Sequence, residues 1–150
     1  MKLLSLMLAA LLFAFSSLAQ SADGLIAVKS PHSVSVTMDR FEALAKQRGL
    51  TVFARIDHAA GAAKIGKTLR PTQVIIIGNP QGGTSFMECA QTVGIDLPLK
   101  VLVWEDASAQ VWLGYNDPEY LAKRHDAGKC PVVENLRKAL ASLAAASVAL

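Results

Sequence analysis

The stretch Val74-Ile75-Ile76-Ile77-Gly78-Asn79-Pro80-Gln81-Gly82-Gly83-Thr84 decides how this chain is read. Its first four residues are apolar and β-branched, without alternation, which predicts a strand buried on both faces in the middle of a sheet. Gly78-Asn79-Pro80 then breaks the strand. Thr84 caps an amphipathic segment with Met87, Ala90 and Val93 on one face, closed by Gly94, so the order is strand, tight loop, helix. In an α/β layer ligands gather beyond strand ends, and free backbone N–H groups at a helix start favour an anion. The stretch marks a place for a site without naming a reaction.

Upstream, Thr51–Ile56 alternates and is rich in β-branched residues, predicting a strand, and Asp57 caps a short Ala-rich helix over 58–65. Before it, the β-prone run 24–29 ends at Ser30-Pro31. Ser33 then caps a helix in which Val34, Met38, Phe41 and Ala45 recur at helical spacing until Gly49. Downstream, 100–105 and 110–115 are two strands joined by a polar connection of hairpin length. Asp117-Pro118 opens a helix over 118–126, and Pro131 opens another whose Val132, Leu136, Leu140 and Leu143 form one apolar stripe. Residues 144–150 lack a polar counter-face and are expected to fray. The fold class is therefore α/β (α+β): one small domain, a mixed sheet of about five strands packed with helices, with strand order left open.

Met1-Lys2, the apolar run Leu3–Phe15 and the small-residue site ending at Ala19 have the pattern of a signal peptide. The run is shorter than the ~20 residues a spanning helix needs. Cleavage after Ala19 would leave a single domain over 20–150, secreted or periplasmic, with no stable membrane anchor. The 15 Lys and Arg face 12 Asp and Glu, scattered without a basic run, so no nucleic-acid partner is expected. Two cysteines, Cys89 and Cys130, leave three readings open in an oxidising compartment: separate thiols, a structural disulfide, or redox and soft-metal chemistry. No CxxC and no zinc-spaced ligand set is present, and no cofactor motif: GNPQGGTS lacks both GxGxxG and the Lys-Ser/Thr ending of a P-loop.

Of three histidines, His58 stands just after the second strand. If the second and third strands run parallel and adjacent, it shares one edge with Asn79, the amides of Gly82 and Gly83, and the Thr84 hydroxyl. Lys100 adds a cation, and the set suits a small anion. His58 and His125 are the candidate acid/base groups, set against plainer roles: Asp57 as cap, His58 as an exposed first-turn residue, and Arg124 and His125 complementing a helix C-terminus. A soft-metal set of Met87, Cys89, His58 and His125 is disfavoured by Met87 lying on the apolar face. No GxSxG elbow or local nucleophile–base pair exists.

The segments SPHSVSVTMDRFEALAKQRGLTVFARIDHAAGA, LRPTQVIIIGNPQGGT, DLPLKVLVWED and VWLGYNDPEYLAKRH closely resemble the bacterial domain-of-unknown-function family numbered 302. The match runs from about Gly24 into the last helix, with its core at about 56–118. Asp57, His58, Gly78, Asn79, Pro80, Gly83, Thr84, Leu97, Pro98, Lys100, Tyr115, Pro118 and His125 lie on its motifs; Cys89 and Cys130 do not. The resemblance implies a small α/β domain that can pair as a homodimer, and it brings no agreed activity, substrate or cofactor. Binding of a small molecule or protein partner is thus favoured over a His-dependent enzyme or a redox or metal-handling accessory.

Overall fold

The computed structural model describes residues 22–150; the expected leader and its cleavage site lie outside the described residues. The elements are β1 (Leu25–Ser30), α1 (Val34–Gln47), β2 (Thr51–Asp57), α2 (His58–Ala63), β3 (Thr72–Gly78), α3 (Pro80–Cys89), a 3-10 turn (Gln91–Ile95), β4 (Leu99–Glu105), β5 (Val111–Asn116), α4 (Pro118–Arg124) and α5 (Val132–Val148). The strands form one sheet in the order β1-β5-β4-β3-β2.

The α+β class is as expected, but the mixed directions are not: every neighbouring pair is antiparallel. The six residues of α2 rise only ~9 Å, whereas the seven-residue strands run ~23 Å. So short a helix does not return the chain by itself, and the loop 64–71 that follows it ends at the same end of the sheet. The chain therefore re-enters beside the point where it left, with Asp57 opposite Gln73. The longer α1, with 14 residues, does return the chain, and β1 and β2 run the same way at opposite edges.

One face of the sheet is sealed by α1 and α5. Ile75, Ile77, Val101, Val103 and Leu113 point into this layer against Met38 and Phe41 of α1 and Leu140 and Leu143 of α5. All are essentially inaccessible to water, and each contributes roughly 1.5–3 kcal/mol of burial. Ser33 caps α1 as expected, its hydroxyl accepting from the Val36 N–H. A second cluster, including Phe86, Val93, Leu121, Cys130 and Val133, joins α3, α4 and the start of α5.

Three local expectations are corrected. Helix α3 begins at Pro80 with Asn79 as its cap, so Thr84 lies inside the helix instead of starting it. It stops at Cys89, where Ala90 turns extended, and Phe86 rather than Met87 is its buried residue. Helix α5 runs through Val148 instead of fraying from Ala144. Its last carbonyls are held by Arg40, whose Nε donates to Ser147 O at 3.0 Å and Nη2 to Ala149 O at 2.8 Å. A guanidinium at a helix C-terminus satisfies orphan carbonyls and opposes the dipole.

Candidate functional site

The sheet separates the two halves of the expected anion recess. Because β2 and β3 are antiparallel, Gly78 at the end of β3 pairs with Thr51 at the start of β2, while Asp57 pairs with Gln73. His58 therefore stands at the opposite end of the sheet from Asn79, Gly82, Gly83 and Thr84. It is exposed in the first turn of α2. Asp57 beside it accepts from the Ala60 N–H at 2.8 Å and from Gln73 Nε2 at 3.3 Å, which is the work of a cap.

The glycine amides are also committed. The Gly82 N–H donates to Asn79 Oδ1 at 2.9 Å and the Gly83 N–H to Asn79 O at 3.0 Å, so neither is left for an anion. Lys100 folds back, donating to the carbonyls of Asp96 and Pro98 at 3.1 and 3.0 Å. His125 shares Oδ2 of Asp96 through Nε2 at 2.6 Å and meets the Thr92 hydroxyl through Nδ1 at 3.0 Å. Arg124 donates to the other Asp96 oxygen at 2.9 Å. With both ring nitrogens engaged, His125 ties the end of α4 to the 3-10 turn.

Cys89 and Cys130 are joined as a disulfide across 41 positions, the Cα atoms 5.8 Å apart. The thiol and soft-ligand readings of these residues fall with that bond. Among the described residues no three His, Cys, Asp or Glu side chains gather closely enough to hold a metal.

What Asn79, Gly82, Gly83 and Thr84 do share is a groove of about 1150 Å³ running between α3, α5 and the end of the sheet. Its walls are mainly apolar: Phe53, Ile77, Leu97, Leu99, Leu136 and Leu140, with the Cys89–Cys130 bond among them. Polar tips from Asn79, Thr84, Glu88 and Asn135 line the same groove. Both glycines lie beside apolar side chains of the groove. A Cβ at Gly82 would stand 3.6 Å from Leu136 Cδ2, and one at Gly83 3.8 Å from Leu97 Cδ1. Any larger side chain on either would fill space that the pair leaves open. In the sequence Leu136 reads as part of the apolar stripe of the last helix, and Leu97 lies only on a family motif. Periodicity identifies an apolar face but not which neighbour is missing from it, so these walls left no separate signal in the sequence.

Comparison with known proteins fits this architecture. A crystal structure of an uncharacterized conserved DUF302 protein from Bacillus stearothermophilus superimposes with a TM-score of 0.76 at 20% identity, covering 84% of this chain and 99% of that one. At that identity the likeness speaks for the fold alone. Over 106 residues the chain is 52% identical to a protein named fluoride-specific ion channel FluC 1 from Brucella suis, covering 71% of this chain and 42% of the relative. The Brucella abortus relative of the same name matches equally, with 39% of its length covered. The chain thus spans only about two fifths of these curated relatives. The model of the domain of unknown function DUF302 matches residues 26–143, and the chain belongs to that family.

Proposed function

We propose that the chain is an exported, non-enzymatic binding module that takes a small, predominantly apolar molecule into the groove between α3 and α5. One observation carries this reading: a mainly apolar recess of about 1150 Å³ lies between α3 and α5, with Gly82 and Gly83 of α3 on its wall beside Leu136 and Leu97. Ligand sites are commonly concave and apolar, with a few polar groups fixing orientation. Asn79, Thr84, Glu88 and Asn135 supply such groups. The enzyme alternative is less favoured because His58 lies at the far end of the sheet and His125 is engaged at both nitrogens. The leader pattern supports export. Conduction by the Brucella relatives belongs to chains of which this one spans about two fifths, and the groove function stands apart from it.

Titration with an environment-sensitive anilinonaphthalene sulfonate dye tests the reading. Saturable one-to-one binding is expected, weakened at least tenfold by Gly83→Leu and unchanged by His58→Ala. Thermal unfolding of Gly83→Leu should not fall, since leaving glycine in a helix interior costs roughly 0.5–1 kcal/mol. Unsaturable binding, or equal affinity in Gly83→Leu, overturns the groove; loss of binding in His58→Ala restores the histidine site.

A further inference from the structure

We infer that the molecule held in the groove between α3 and α5 is a long-chain monocarboxylate, its head paired with Arg48 and its chain lying along α5 toward the Cys89–Cys130 bond. The inference rests on the binding-module reading above and names the ligand class for that groove. Arg48 and Glu88 are the charged residues among those lining it, and they stand at opposite ends. Arg48 follows the last turn of α1, and its Nη1 crosses to α5, donating to Ser142 Oγ at 3.1 Å. Glu88 adjoins Cys89, whose partner Cys130 lies just before α5. Between Val132 and Ser142 that helix rises ~15 Å. An apolar bed of this length therefore has a cation at one end and an anion at the other.

The cation is unmatched within the chain. Arg55, Arg124 and Arg137 each meet a carboxylate, at 2.6, 2.9 and 2.8 Å. Among the described residues no carboxylate forms an ion pair with Arg48, and its side chain donates only to a neutral hydroxyl. A guanidinium carries five donors in a planar fork that matches a carboxylate in two parallel hydrogen bonds. The bond to Ser142 leaves most of that fork open. The walls supply the other half of the argument. Phe53 is 57% exposed and Met87 36% exposed, yet both line the groove with Leu97, Leu136 and Leu140. An alkyl chain laid over them removes apolar surface from water while its head stays at the rim. Direction follows from Glu88, because like charges repel. The anionic head is kept at the Arg48 end, and a second carboxylate on the far end of the chain is disfavoured.

Isothermal titration calorimetry with dodecanoate, kept below its micelle concentration, tests the assignment against dodecanol and dodecanedioate, chains of equal length with other heads. Dodecanoate should bind one to one, with affinity rising roughly fourfold for each methylene added from octanoate upward. Arg48→Gln should weaken dodecanoate roughly tenfold, the scale of a hydrogen-bonded charge, and leave dodecanol unchanged. Arg48→Lys keeps the charge but loses the fork, and should recover only part of that loss. Dodecanedioate should bind more weakly than dodecanoate, and Glu88→Gln should narrow the gap. If dodecanoate and dodecanol bind alike and Arg48→Gln changes neither, the carboxylate assignment is overturned while the groove stands. Failure of dodecanoate to displace a saturably bound dye has the same meaning. Tighter binding of dodecyl phosphate than of dodecanoate would overturn the carboxylate in favour of a phosphate ester. If Gly83→Leu leaves dye binding untouched as well, the groove itself falls.

Discussion

The two faces of the sheet are built from the same alphabet yet meet different fates. On one side Ile75, Val103 and Leu113 are wholly buried beneath helices. On the other, Val74, Leu102 and Trp112, their immediate chain neighbours, remain partly open to water. Hydrophobicity along the chain does not distinguish them, because Val74–Ile77 is apolar without a break. What separates them is whether this chain supplies a covering layer. Among the described residues α1 and α5 are the longest helices, and both pack on one side. Apolar residues on the covered face hold the fold; those on the open face stay partly in contact with water.

The sharpest way to break that contrast is to truncate one leucine from each side. Leu113→Ala should cost about 4 kcal/mol, since a fully enclosed leucine leaves a cavity as well as losing transfer energy. Leu102→Ala should cost less than about 1 kcal/mol. Chemical denaturation measures both. Equal losses would mean that the open face is as much a part of the folding core as the closed one.

How much was legible beforehand follows the same line. Local chemistry was readable: Ser33, Asp57 and Asp117 each cap the helix they were assigned, and Pro118 starts α4. The candidate site failed because it needed a fact about pairing. His58 and Asn79 converge only if β2 and β3 are parallel, and the two strands pair antiparallel through a connection whose path no residue in either strand specifies. Asn79, Gly82, Gly83 and Thr84 did fall together on one groove, but for the room that glycine leaves rather than for amides free to bind. Asp96, which joins Arg124 and His125, carries no local signal in the sequence because its partners lie 28 and 29 positions away.

A smaller effect sharpens the account of the covered side. Arg40 extends that layer to the end of α5 by holding Ser147 O and Ala149 O. Arg40→Ala should cost about 1–2 kcal/mol, the scale of hydrogen bonds to a charged group at a helix end. The loss should be local, appearing as faster amide exchange over 145–148 while the sheet stays protected. Uniformly faster exchange would show that the last turn of α5 belongs to the global core.

The smallest effect lies on the open side and is a matter of pH. Trp112 Nε1 donates to Asp106 Oδ2 at 2.8 Å, and the backbone N–H groups of Gln110 and Ser108 donate to Oδ1. The indole bond first, then these amides, holds the Asp106 carboxyl below the ordinary aspartate value of 3.8. A depressed acid stabilises the fold above its unfolded pKa, and the contribution fades as pH falls through the folded one. The Trp112 bond should therefore persist through the ordinary aspartate range and weaken only below it. Tryptophan emission followed during acidification should show that late step, and Asp106→Asn, which keeps an acceptor but cannot titrate, should abolish it. A step at or above the ordinary range would mean that the indole is not what steadies the carboxylate. The ring beside Trp104 would then be set by packing alone.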